Sequence, residues 1–354
     1  MRCPNVRLGV TIQGFHLRTP VLSIGRFAAV LLSALAWASP FASARANPVP
    51  PAPVAPVFVL NSLDASVSVI DPATWTETER IPTGKEPHHL YLTPDGKSLM
   101  VANSASDSIT FLDPRTAKVQ RVLGGIIDPY QLRFSPDMKW FVTAANRLNH
   151  VDIYRWDGQN LQLAKRISTG KTPSHIWIDH TSATAYVSMQ DSDEFVAIDL
   201  ASQTLRWRMS TGAMPADIFG VQRDRLLLVG LTGSDKVQVF DVSGAAPRLV
   251  GEIPTGKGAH AFRAGGDGRT VFVSNRAANT ISRIDTQTLQ VVANYPVPGG
   301  PDCMDVSADG KRLLVTSRWA KKLSVVDLTE HRVVQQVKVG RSPHGVWTLD
   351  HGSR

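Results

Sequence analysis

A pattern that returns about every 42 residues constrains this chain more than any other feature, because a periodic sequence admits only repeat architectures. One turn of it runs Ile81-Pro82-Thr83-Gly84-Lys85-Glu86-Pro87-His88-His89, then Thr93-Pro94-Asp95-Gly96-Lys97, then Val101-Ala102-Asn103. Three marks recur. The first is an apolar strand that closes on a small or polar residue, as in Val59-Leu60-Asn61, Val101-Ala102-Asn103, Val142-Thr143-Ala144, Val187-Ser188, Val229-Gly230, Val273-Ser274-Asn275 and Val315-Thr316-Ser317. The second is an alternating strand closed by Asp, at Asp71, Asp113, Asp199, Asp241, Asp285 and Asp327. In the third repeat the run Val151-Asp152-Ile153-Tyr154 departs and leads into Arg155. The third mark is a Gly followed by Pro, beginning at Gly84, Gly124, Gly170, Gly212, Gly256, Gly299 and Gly340, with Pro absent from the copy at Gly258-Ala259-His260.

Apolar–polar alternation over such short runs is the signal of half-buried strands, and the Asp can fold back onto the next backbone N–H groups to fix a turn. Each unit reads as four strands, and no convincing amphipathic helix interrupts them. A lone four-stranded sheet cannot bury both of its faces, whereas seven stacked around an axis can. The expected fold is therefore all-β: a seven-bladed β-propeller. The repeats enter at Val57 on the second strand of a unit, and His344-Gly345-Val346-Trp347-Thr348-Leu349-Asp350 reads as a first strand with nothing after it. The C-terminal strand is expected to complete the first blade and seal the ring, which removes exposed sheet edges.

Residues 1–46 stand apart. They hold five Arg, an apolar run from Phe27 to Ala38, and Ala44-Arg45-Ala46, the charged, apolar, small-x-small order of a secretory signal. Cleavage is expected after Ala46, followed by a proline-rich linker over 47–56 and the propeller over 57–354, which implies a periplasmic or secreted protein. Removing residues 1–46 takes Lys and Arg from 38 to 33 against 30 Asp and Glu, so the net charge falls from +8 to +3. A general polyanion-binding surface is not indicated, and nucleic acid is not an expected partner. Cys303 is the one cysteine left after Cys3 departs, which excludes an intrachain disulfide. No transmembrane segment is expected in the mature chain, which reads as a monomer.

Tyr186-Val187-Ser188 and Phe272-Val273-Ser274-Asn275, with the Gly-x-x-Pro and Pro-Asp-Gly-Lys turns, resemble the YVTN-type β-propeller repeat over about residues 57–350. WD40 repeats fit less well, since Trp156-Asp157 is the only Trp-Asp pair. The resemblance implies an exported propeller with a fold-level likeness to the haem-bearing propellers of bacterial nitrite reductases. It implies no particular chemistry, because a propeller hosts many activities.

In a propeller the residues after each loop Pro lie nearest the axis. Read around the ring they are His88 and His89, Tyr130 and Gln131, Ser174 and His175, Ala216 and Asp217, His260, Asp302 and Cys303, and His344. Five of the nine histidines beyond residue 46 fall there. Imidazole, carboxylate and thiolate bind transition metals, so His88, His175, His260, His344 and Cys303 form a candidate set for a transition metal or haem, with the cofactor itself left unassigned. The bland alternative is that each His is an inherited loop residue bonded to its neighbour. Lys85, Lys171, Lys257 and Arg341 follow the loop Gly in the same four repeats that carry His88, His175, His260 and His344. A cationic ring at a concave mouth favours a small anionic ligand. Arg147, Arg276 and Arg318, after the Val-x-Asn strands, are expected on an outer circle with Asn61, Asn103 and Asn275, able to grip carboxylate or phosphate. Trp319 offers a contact for a partner protein.

No Gly-x-Ser-x-Gly elbow, Gly-rich phosphate loop, HExxH or Cys-x-x-Cys-His occurs. The expectation is a binding or scaffold propeller that docks a protein partner or small ligand on the Gly-x-x-Pro face, with no catalytic residue assigned. A metal- or haem-dependent oxidoreductase using the His ring is the alternative.

Overall fold

A computed structural model describes residues 54–352. The expected signal segment, and the proline-rich linker as far as residue 53, lie outside the described residues. Of the linker's described end, Ala55 is buried and its N–H donates to Asp350 Oδ2 at 2.9 Å, so this part is docked rather than loose.

Seven antiparallel sheets of four strands form a closed ring, with three short 3₁₀ turns and no α-helix among the described residues. The first blade pairs Pro343–Thr348 with Val57–Asn61, Ser66–Asp71 and Thr76–Pro82, so the C-terminal strand closes the ring as the repeats imply. Each first strand contacts those of the two adjacent blades, which places the axis among Pro87–Leu92, Pro129–Phe134, Pro173–Ile178, Pro215–Val221, Ala259–Ala264, Pro301–Val306 and Pro343–Thr348.

Alternation decides where the core sits. Val57 and Val59 pack into the cluster shared with the seventh blade, while Phe58 and Leu60 pack into the cluster shared with the second. Seven such clusters fill the seven blade-to-blade gaps. The second strand of each blade thus packs apolar side chains on both faces, and neither face tolerates water.

The strand-ending Asp residues fix turns. Asp71 Oδ1 accepts the Ala73 N–H at 2.8 Å, Asp113 those of Arg115 and Thr116, and Asp285 those of Gln287 and Thr288. In the deviant third blade the strand His150–Trp156 runs longer, and Asp157 takes this role, accepting from Gln159 and Asn160.

The expected outer circle of asparagines is corrected. Asn61, Asn103 and Asn275 are fully buried, and Asn61 is a latch. The Asn61 amide donates to Ser66 and Ser68 hydroxyls at 3.2 and 2.9 Å, and its oxygen accepts the Gly340 N–H at 2.9 Å. This also explains the loop glycine: a Cβ on Gly340 would lie 2.5 Å from Asn61 Cγ, and one on Gly84 would lie 2.7 Å from Asn103 Cβ. Asn61→Ala is therefore expected to destabilise the ring by roughly 2–4 kcal/mol in chemical denaturation, because it strands a buried N–H. Arg341→Ala, at an exposed pair with Asp64, should stay within about 1 kcal/mol. Equal effects would contradict the latch.

Candidate functional site

Every innermost strand carries a β-bulge just after its first residue. Pro87 pairs with Asn103 and Leu90 with Val101, so His88 and His89 together oppose one partner residue. The same irregularity follows Pro129, Pro173, Pro215, Ala259, Pro301 and Pro343. A bulge re-aims side chains, and here it turns consecutive residues toward the axis. The extra N–H groups are met by small hydroxyl residues on the next strand: Ser188 accepts from His175, Ser274 from Ala261 and Thr316 from Cys303.

The result is a knot of imidazoles across the channel. His88 stacks on His344 at 3.6 Å between ring centroids and on Tyr130 at 3.8 Å. His89 lies 4.8 Å from His344 and 5.0 Å from His175, and His175 lies 5.3 Å from His260. His88, His175, His260 and His344 are 0–3% exposed, so the channel is plugged at the Gly-x-x-Pro end. Asp302, fully buried, sits 3.1 Å from His260 Nδ1 and 3.7 Å from His344 Nε2. His260 Nδ1 and the Asp302 carboxylate touch off the line of a well-aligned hydrogen bond, and with the imidazole neutral the contact is not an ion pair.

Burial holds the imidazoles neutral. It pushes His88, His175 and His344 well below their ordinary range, His89 to about 3 and His260 to about 4. Burial alone would raise the Asp302 carboxyl, but the Arg276 guanidinium against it leads the groups that outweigh burial and hold it well below the carboxylate range. Burial raises Asp217 to about 6, offset in part by the Phe262 N–H, and lifts the Cys303 thiol and Tyr130, the latter to about 12.

His344 has a fixed tautomer. Its Nδ1 lies 2.8 Å from the His88 carbonyl oxygen, which only accepts, so Nδ1 carries the proton and Nε2 keeps its lone pair. Nε2 has no hydrogen-bond partner, nor do His88 Nδ1, His89 Nε2, His175 Nε2 and His260 Nδ1. Candidate ligand atoms of His88, His89 and His344 lie within 4.8 Å of one another, as do those of His260, Asp302 and His344. A single ion fits either triad. A haem does not: the space beside these imidazoles is the cavity lined by His89 and His175, about 190 Å³, below the roughly 300–1,000 Å³ that drug-sized ligands need.

The remaining sequence candidates separate from this knot. Lys85, Lys171 and Lys257 are exposed, and Arg341 pairs with Asp64. What their position contributes is main-chain: the Lys85 and Lys171 N–H groups donate to Ser106 and Ser192 hydroxyls. The shared Lys/Arg-and-His alternation is therefore two features, one buried and one on the surface. Arg276 and Arg318 turn inward onto Asp302 at 2.6 and 3.3 Å, and Arg147 engages Asp128, rather than presenting free forks. Asp217 accepts the Phe262 N–H at 2.8 Å. Trp319 is 60% exposed.

Below the knot the channel widens into a cavity of about 190 Å³ toward the opposite face, lined by His89, His175, Asp217 and Cys303 and then by Tyr91, Trp177, Phe219 and Trp347. Sequence reasoning placed the mouth at the Gly-x-x-Pro end; the bulge residues fill that end and leave this one open. The period of two, continued past each bulge, was the available signal for the lower aromatic layer.

The buried imidazoles predict a pH dependence. Unfolded, they protonate near 6.5; folded, they resist, so the unfolded state binds more protons below that pH. Stability is lost as pH falls below about 6.5, by about 1.4 kcal/mol per pH unit for each imidazole. Asp217 acts oppositely between 3.8 and about 6, but it is one group against five. The melting temperature of chelator-treated protein should drop between pH 7 and 5. A flat profile would contradict neutral burial.

A family model described as a YNCE-like β-propeller matches residues 19–354. None of the curated proteins matches the chain. Among solved structures, the periplasmic gluconolactonase PpgL of Pseudomonas aeruginosa is similar with a TM-score of 0.71 at 19% identity, covering 83% of this chain and 98% of that one. The dihydro-heme d1 dehydrogenase NirN, solved with DHE, gives 0.65 at 16% identity over 84% and 76%. Hydrazine synthase of Kuenenia stuttgartiensis gives 0.62 at 21% over 73% and 88%. Likeness at these identities shows the fold alone. The resemblance drawn from the repeat motifs and the seven closed blades agree with the family match: this chain belongs to the YNCE-like β-propellers.

Proposed function

We propose that this protein is a binding propeller that holds one first-row transition-metal ion in its channel, through His88, His89 and His344. The observation that carries the reading is the triad His88, His89 and His344, whose candidate ligand atoms lie within 4.8 Å of one another and which holds three buried nitrogens without partners, His88 Nδ1, His89 Nε2 and His344 Nε2. Each buried unpartnered polar group costs about 1–3 kcal/mol, and a shared ion removes several of these penalties together. The His344 arrangement matches how metal-binding imidazoles are set, with the distal nitrogen donating to a carbonyl and the other free to ligate. Asp302 lies within reach of His260 and His344, and its negative charge favours a cation nearby. The bound ion supplies a Lewis-acidic centre; no catalytic step is assigned to it.

Chelator-treated protein titrated with Cu(II), Zn(II) and Co(II) should take up one ion per chain, seen by calorimetry and, for Co(II), by visible absorption. His344→Ala should weaken uptake at least about a hundredfold, the loss of a ligand and its geometry, while Lys85→Ala leaves it unchanged. Retained affinity in His344→Ala, or no uptake by the parent, overturns the reading.

The same reading takes the chain as exported. Periplasmic extracts should yield a mature N-terminus at Asn47. Recovery of uncleaved protein from the cytosol alone would contradict export. Among the described residues no helix is long and apolar enough to cross a membrane.

A further inference from the structure

The lower edge of the imidazole knot, His89 and His175, is the floor of the cavity on the open face. Its floor is polar, with His89, His175, Asp217 and Cys303; its walls are Tyr91, Trp177, Phe219, Phe262, Met304 and Trp347, with Arg133 and the Arg263–Asp305 ion pair set among them. The rim residues Tyr91, Trp177 and Phe219 are partly exposed, so the cavity meets solvent there, whereas the opposite end of the channel is closed by the buried His88, His260 and His344.

The aromatic wall is held in place. The Trp177 indole N–H donates to Asp224 Oδ1 at 2.8 Å, and the Phe219 ring lies 4.7 Å from the indole. The Arg133 guanidinium sits 4.9 Å from the same ring. Gly220 makes room for this indole: a Cβ there would meet Trp177 Nε1 at 2.3 Å. A preorganised aromatic wall binds a flat ring with little ordering cost.

Size narrows the occupant. An engineered apolar cavity of about 150 Å³ takes benzene, while drug-sized ligands need about 300–1,000 Å³. At about 190 Å³, this cavity takes one six-membered ring with a small substituent. Polarity narrows it further. His89 Nε2 and His175 Nε2 are buried at the floor without hydrogen-bond partners, and the other His175 nitrogen lies 2.9 Å from the Ser174 hydroxyl. A ligand that is apolar throughout would leave both nitrogens stranded. A hydroxyl both donates and accepts, so it satisfies either imidazole tautomer.

We infer that the cavity is a binding pocket for a single-ring phenol, its hydroxyl on His175 and its ring against Trp177, Phe219 and Trp347. This goes beyond the metal reading and does not depend on it.

The test uses full-length chelator-treated protein, with p-cresol and toluene as the probes. Saturation-transfer NMR and tryptophan fluorescence should show saturable binding of p-cresol, with toluene at least about tenfold weaker, the value of one good hydrogen bond. Trp177→Leu should weaken p-cresol at least about tenfold, and His175→Leu should erase the preference over toluene. The comparison of the two probes on the parent protein needs no variant, so it stands even where a variant fails to fold. Equal binding of both probes, or saturable binding of neither, overturns the inference. Because no metal is present, failure of metal uptake leaves this result unaffected.

Discussion

The structure depends on one constraint: the second strand of every blade, as in Val57–Asn61, packs apolar side chains on both faces. Val57 and Val59 need the seventh blade, and Phe58 and Leu60 need the second, so no blade satisfies its own core. Apolar burial is non-directional and rewards any neighbour, but only a closed ring gives every face a partner. The Asn61 latch onto Gly340 and the pairing of Val57–Asn61 with Pro343–Thr348 finish that closure with directional bonds.

Closure also creates the channel. Seven bulged strands around one axis bring fourteen or so side chains into a narrow space, where polar residues lose water. Some of these positions answer this with small residues, as Ser174, Ala216, Ala261 and Gly345 do. The second, fourth, sixth and first blades answer it with imidazoles instead, and the seventh with a carboxylate clamped by Arg276 and Arg318. Neutral imidazoles and a nearby buried anion are a coherent arrangement for a cation, and a poor one for a free anionic ligand.

Much of this was legible in the sequence. Alternating residues and recurrent Gly, Pro and Asp marks specify strands, turns and ring closure because each mark has a local physical cause. The axis residues were legible too, since they follow the loop Pro in every copy. The sequence pattern was silent on depth. Lys85 and His88 are three residues apart, yet a bulge buries one and leaves the other in water. Asn61 and Arg276 read as surface groups because their partners, Gly340 and Asp302, come from other strands at distances only the closed ring sets. The open end of the channel was missed for the same reason: which layer is filled depends on how large residues from seven blades meet.

X-ray absorption on the metal-loaded protein tests the central claim most directly. Three imidazole nitrogens at about 2.0–2.1 Å, with the multiple scattering of imidazole rings, are the predicted surroundings of the ion. A shell of light atoms without imidazole scattering would contradict it and return the buried histidines to a purely structural role.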